Sequence, residues 1–342
     1  MNKGNLLFDE KYLNDLFIKE ILPLYPDFVS IEKIEVKPYK KLMWETTYHL
    51  VVKYLTHFIN HEGEVVKVPI VATAHSSEER ENVFLTLSYL WEHHLADREI
   101  SLPRPLFYHS DLRATFYRAI EGRNLLYFIK DQAWPEIEDG VIKAARLFAK
   151  LHSLPLEGGY QFNLDNARVA TVLPGVEFTL NELKSRFSGR YFDFIKSAYE
   201  VIIAKENNFL DNTSQRWLVH GDAHPENLIK LPSGKIGLID FTDFCRADFA
   251  RDLGAFSQQL EYKIITKAKY VAEAGKMKDL FISEYFKNSQ LKLTPEIAER
   301  IALYYNFASL RTTVYWLLKH DCDPSRAEFL IDNIRRSLNL KV

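Results

Sequence analysis

The chain has 342 residues, of which 47% are hydrophobic and 26% charged, with a formal net charge of −2. That length suits one large domain or two lobes, and the near-neutral balance excludes a protein held to nucleic acid by bulk positive charge. No apolar run reaches the roughly 20 residues that span a bilayer, and Met1-Asn2-Lys3-Gly4-Asn5 is not followed by the apolar core of a signal peptide.

Two cysteines, Cys245 and Cys322, stand outside any C-x-x-C pair, so a structural zinc site is not expected. So few thiols suit a reducing compartment, and a cytoplasmic location is the expectation. The 23 Phe, 18 Tyr and 5 Trp imply a large, well-filled core.

Residues 8–22 carry Leu13, Phe17, Ile21 and Leu22 near helical spacing, and Pro23 and Pro26 end that helix. Segments 31–36, 46–55 and 65–74 read as strands of an antiparallel meander. Between the first two lies a basic stretch, residues 37–45, that contains no glycine. A helix is expected over 77–94, with Ser77 as its N-cap and Glu78 and Glu79 in the first turn. Leu102-Pro103-Arg104-Pro105 is a stiff connector, and 106–109 with 115–120 form a hairpin. Glu121-Gly122-Arg123-Asn124-Leu125 then breaks the strand pattern.

Beyond residue 125 the strand signals almost vanish. Helices are expected over 139–153, 178–187, 191–206, 252–262, 267–288, 295–320 and 325–338. One strand pair, at 228–240, sits among them around a Pro-Ser-Gly turn. The expectation is an α+β fold of two lobes, strand-rich over 1–120 and helical over 121–342.

The chemistry-bearing stretch is Trp217-Leu218-Val219-His220-Gly221-Asp222-Ala223-His224-Pro225-Glu226-Asn227, followed by Ile239-Asp240-Phe241. Phosphoryl transfer needs positioning and charge neutralisation more than covalent chemistry. An Asp on a tight loop, Asp222, can accept the proton of an acceptor hydroxyl. The amide oxygen of Asn227 and the carboxylate of Asp240 supply hard oxygen ligands for a magnesium ion, whose other ligands are phosphates and water. Pro225 stiffens the loop and Gly221 permits a conformation that side chains resist. Asp-x4-Asn alone is common, but the whole string with its strand pair and Ile-Asp-Phe is specific.

These residues resemble the aminoglycoside phosphotransferase and choline kinase superfamily, whose members share a protein-kinase-like fold. Leu151-His152-Ser153 is similar to the family's Leu-His helix end. Residues 117–125 are similar to its hinge, and Asp248-Phe249-Ala250-Arg251-Asp252-Leu253 to its Asp-Pro-x-x-Asp-Leu segment. The resemblance covers roughly residues 30–320 and is strong over 217–254. It implies a small antiparallel-sheet N-lobe that binds nucleotide and a larger helical C-lobe. Asp222 would be the catalytic base, and Asn227 and Asp240 the magnesium ligands. His220 would order the loop and Asp252 would buttress it. The nucleotide would meet Thr73, Glu81, Arg118 and Ile120, the last two through backbone that can face a base edge.

Two departures from the family pattern bear on function. Thr73 stands where a strand lysine contacts the phosphates, and no glycine lies in the segment that would cover them. Lys67, Lys40 and Lys41 are the nearby basic residues. Lys67 shares Thr73's face, but six residues of strand put it about 20 Å away. His224 is expected to bond backbone, and Asp243 is a further carboxylate near the site. Tyr304, Tyr305 and Arg311 are possible acceptor contacts.

The leading reading is an ATP- and Mg2+-dependent phosphotransferase, GTP being an alternative donor. Its acceptor is a hydroxyl on a small molecule of the aminoglycoside, sugar or amino alcohol class. No nucleic-acid or membrane partner is expected. The alternative is a nucleotide-binding pseudokinase with a scaffold or regulatory role. A protein kinase is disfavoured by the His-Gly-Asp form and the lack of a closing Ala-Pro-Glu.

Overall fold

In a computed structural model of the chain, residues 2–156, 162 and 166–341 are described. The first elements are α1 (Glu10–Glu20), β1 (Phe28–Met43), β2 (Tyr48–Asn60), β3 (Val65–His75), α2 (Glu81–Glu92) and β4 (Ile100–Ser101). Then come β5 (Arg104–His109), β6 (Ala114–Arg118), β7 (Arg123–Asn124), α3 (Leu125–Lys130), α4 (Trp134–His152), α5 (Val176–Phe187) and α6 (Phe192–Asp211). Four short strands follow, β8 (Trp217–Val219), β9 (Leu228–Lys230), β10 (Ile236–Leu238) and β11 (Cys245–Ala247). Helices α7 (Ala250–Lys263), α8 (Val271–Asn288), α9 (Pro295–Leu318) and α10 (Pro324–Leu338) complete the chain. This is the α+β architecture expected, with an antiparallel sheet first and helices after.

The chain divides into two compact units. One comprises residues 1–123 and 229–242, the other residues 124–228 and 243–342.

The first unit is built on a five-stranded antiparallel sheet in the order β1-β2-β3-β6-β5. Alternation along the strands sends Leu50, Val52, Tyr54, Ile70, Ala72, Ala114 and Phe116 to one face, each fully buried. Leu13 and Phe17 of α1 pack there with Leu7. The Phe17 ring meets Tyr54 edge-on at 5.3 Å and Phe116 at 6.0 Å.

Two local expectations change. The basic segment 37–45 is not a loop, because β1 runs on through it and pairs with β2 as far as Met43 opposite Tyr48. Helix α2 starts at Glu81, not Ser77. The His75 ring accepts from the N–H groups of Ser77 and Glu78, which holds residues 76–78 in a bend. The strand pair at 228–240 falls within the helical half of the sequence, yet β10 pairs in parallel with β4, Ile236 opposite Ile100. Residues 229–242 therefore belong with the first unit.

The second unit is helical. Its core gathers Leu183, Ile195, Tyr199 and Ile202 with Leu303, Phe307, Leu310 and Ile331. Helix α7 is buried on nearly every side. It crosses α9 at Gly254, where an added Cβ would lie 2.6 Å from both Ile301 O and Tyr305 N. Strands β8 and β11 form an antiparallel ribbon, Val219 opposite Cys245. That ribbon launches the loop that carries Asp222.

Candidate active site

The loop from His220 to Asn227 lies in the second unit and is fixed from below by α7. The fully buried Asp252 carboxylate accepts the N–H of His220 at 2.7 Å and that of Gly221 at 3.0 Å. Its Oδ2 is also 3.1 Å from Nε2 of His152, whose Nδ1 is 2.9 Å from the Tyr285 hydroxyl. Burial opposes a charge on Asp252, but the hydrogen bond and charge of His152 outweigh it and hold the pKa low. Arg251, also buried, donates to Gly221 O and Asn166 O. The adjacent acid and base at the start of α7 thus satisfy the backbone of a loop that would otherwise bury open polar groups.

Gly221 has φ +82°, and a Cβ there would collide with the Asp243 carbonyl. Only glycine meets both demands. The turn leaves the Asp222 side chain about a third exposed, at 36%. Asn227 donates its amide to Asp222 O at 3.0 Å, which joins the two ends of the loop.

The Asp222 carboxylate is not alone. Nε2 of His224 lies 3.3 Å from its Oδ2, and Nδ1 of the same ring lies 3.1 Å from Glu226 Oε2. Glu226 also pairs with Lys263. Burial works against a charged His224, but the two carboxylates prevail and lift its pKa to about 9. Burial would raise Asp222, yet His224 and then Arg311 hold it well below the usual carboxylate range. Glu226 is brought down to about 2 against its own burial by His224 and Lys263. His224 thus stands between two carboxylates, with the Glu226 N–H also 3.2 Å from its Nδ1. Asp243, which accepts from Asn166 at 2.7 Å, is raised by burial and then by the charge of Asp222.

Beside this loop is a pocket of about 250 Å³, lined among others by Asp222, His224, Gln259, Tyr262, Arg311 and Trp316. Arg311 forms no ion pair among the described residues, and its charge acts on Asp222 and Asp243. The other two aromatic candidates face elsewhere. Tyr304 is buried with its hydroxyl on Glu206 at 3.0 Å, and Tyr305 bonds Glu261 at 2.8 Å.

The remaining sequence candidates lie in the first unit. Thr73 is buried in β3, opposite Val51 on one side and Thr115 on the other. Glu81 is the exposed first residue of α2 and makes no ion pair among the described residues. Strand alternation puts the Arg118 side chain on the Phe116 face, away from the Thr73 face, so only its main chain is open to a ligand there. The Ala119 N–H is taken by Pro69 O. Ile120 follows, its side chain packed at Gly237.

Asp240 ends the segment that follows β10, exposed, with φ +63°. Asp is among the few residues that tolerate this left-handed conformation. Among the described residues no three His, Cys, Asp or Glu side chains form a metal cluster. Each unit by itself offers an oxygen of the kind magnesium takes. In the second unit the amide NH2 of Asn227 is tied to Asp222 O, which leaves its Oδ1 as a hard oxygen; in the first unit Asp240 presents an exposed carboxylate.

Residues 61–266 match the model of the APH phosphotransferase enzyme family. The chain belongs to that family. Solved structures similar to this phosphotransferase include a choline/ethanolamine kinase family protein from Mesorhizobium loti. It is 14% identical, with TM-score 0.54 over 95% of this chain and 94% of the other. An ethanolamine kinase from Plasmodium vivax is 15% identical, with TM-score 0.54 over 99% and 89%. A macrolide 2′-phosphotransferase from Brachybacterium faecium is 13% identical, with TM-score 0.52 over 96% and 98%. At such identities these likenesses show the fold, which is the kinase-like one expected. Sequence comparison with curated proteins finds no match.

Proposed function

We propose that this phosphotransferase moves the γ-phosphoryl group of a magnesium-bound nucleotide to a hydroxyl of a small molecule. ATP is the donor we favour, and GTP is the alternative. The observation that carries the reading is the Asp222 carboxylate, held on a loop hydrogen-bonded to Asp252 at the wall of a 250 Å³ pocket. So acidic a group is a weak base. Its work is to orient the acceptor hydroxyl and to take the proton as the bond to phosphorus forms. Asn227 is the second unit's candidate magnesium ligand and Asp240 the first unit's. Thr73, Arg118 and Ile120 are proposed to flank the nucleotide, with the Ile120 main chain toward the base. Glu81, exposed at the start of α2, is its weakest candidate contact. Such an enzyme belongs where nucleoside triphosphates are, in the cytoplasm, and no helix among the described residues is long and apolar enough to cross a membrane.

Charge narrows the acceptor class. The related folds include kinases named for choline and ethanolamine. Here three carboxylates at the loop, Asp222, Glu226 and Asp243, are met by three protein cations, His224, Lys263 and Arg311. No surplus negative charge awaits a cationic amine. An uncharged polyhydroxyl compound of the sugar class is therefore favoured over an amino alcohol or aminoglycoside.

The test is magnesium-dependent transfer from ATP to a panel of sugars, amino alcohols and aminoglycosides, with Asp222→Ala beside the wild type. Equal transfer by the two proteins sinks the catalytic assignment. Nucleotide binding with no transfer to any acceptor favours the pseudokinase reading.

A further inference from the structure

Phosphoryl-transfer enzymes of the kinase type hold the nucleotide phosphates with a strand lysine that a helix glutamate steadies. Thr73 cannot do this, and the basic residues around it are not equivalent. Lys67 lies opposite His57, at the far end of β3. Lys41 alternates to the other face of β1, where its Nζ sits 4.3 Å from the centre of the Phe8 ring. Lys53 is paired with Glu121 at 3.0 Å.

Lys40 and Arg80 differ from these. Lys40 lies opposite Val51, Val51 opposite Thr73, and Thr73 opposite Thr115. Directly paired residues share a face, so Lys40 and Thr73 stand in one row across the sheet. Thr115 donates its hydroxyl to the Arg80 carbonyl, which brings Arg80 over the same row.

The Arg80 residue is only 4% exposed. Its Nη2 is 3.1 Å from Glu78 Oε2, while its Nε is buried and bonded to none of the described residues. A buried guanidinium donor left open is costly unless an acceptor arrives. The histidines of this face feel the positive charge. Burial, then Lys40 and Arg80, push His49 down to about 4. Burial lowers His75 as well, with Arg80 and Lys40 adding to it and Glu78 opposing. The Asp240 carboxylate acts on Lys40 from the same unit.

We propose that Arg80, steadied by Glu78, and Lys40 together grip the nucleotide phosphates in place of the missing strand lysine. Glu78 then has the part expected of Glu81. The proposal rests on the nucleotide-dependent reading above. A planar guanidinium suits phosphate by offering two parallel donors, and Lys40 adds a mobile charge.

Calorimetric titration of the full chain with ATP and with adenosine, each in magnesium, tests it. In the wild type, ATP binds more tightly than adenosine. Arg80→Met and Lys40→Met each weaken ATP by about tenfold or more and leave adenosine unchanged, and Arg80→Lys recovers part of the loss. Asp222→Asn binds ATP as the wild type does. Arg80 is buried, so a melting curve accompanies its variants; if Arg80→Met does not fold, the exposed Lys40 decides. ATP affinity unchanged in Lys40→Met and in every folded Arg80 variant overturns the proposal, as does a wild type that holds ATP no better than adenosine. In those cases transfer to an acceptor still supports the function. A wild type that binds neither ligand removes both readings at once.

Discussion

Asp222 and His224 form an ion pair at the pocket wall, and each shifts the other. Replacing Asp222 by Asn keeps the shape and removes the charge. Turnover is expected to fall by about 10²–10⁴-fold with ATP affinity preserved, read by steady-state kinetics beside calorimetry. His224 makes a separate prediction about pH. Its folded pKa, about 9, is above the ordinary 6.5. Its contribution to stability is therefore complete below about 6.5 and lost as pH rises through about 9. The gap in melting temperature between the wild type and His224→Gln should close between neutral pH and about pH 10. A gap that persists at high pH means that the ring acts by packing alone. The backbone bond expected of His224 is present, from the Glu226 N–H to its Nδ1 at 3.2 Å; its two carboxylate partners appear only once the loop has folded.

At the scale of elements, α7 explains how the loop from His220 to Asn227 is held in place. Its first turn delivers Asp252 to two backbone N–H groups and Arg251 to a backbone carbonyl. Asp252→Ala leaves His152 and those amides buried without their acceptor, and a loss of about 3–5 kcal/mol in unfolding free energy is expected. Denaturant melts measure it. Gly254 lets α7 approach the α9 backbone. Gly254→Ala must push the helices apart, at a cost of about 1–3 kcal/mol. Periodicity marked both helices within a few residues. It could not show this crossing, since closeness of two backbones is a property of the pair. The run of β1 through residues 37–43 is hidden in the sequence because Pro38 and three lysines read as a loop, and edge strands tolerate both.

At the scale of the whole molecule, nucleotide and metal should act on stability together. A ligand that binds only the folded chain adds about 2.7 kcal/mol at a concentration of a hundred times its Kd. ATP with magnesium should raise the melting temperature, and chelation of magnesium should remove most of that rise. An equal rise with and without the metal argues against Asn227 and Asp240 as ligands. The first unit is itself discontinuous, since residues 229–242 return to it through β10 beside β4.

The sequence by itself determined the family, the α+β order and the loop from His220 to Asn227. Those signals are local, a fixed spacing of chemically specific residues between strands of readable alternation. Tertiary structure decided which charges meet. Arg311 of α9 faces Asp222, separated from it by 89 positions (311 − 222). Lys40 joins the Thr73 row only through the register of β1, β2 and β3, and Arg80 reaches it only through Thr115. Pairing register and helix crossing are set by packing between distant segments, which no local pattern encodes.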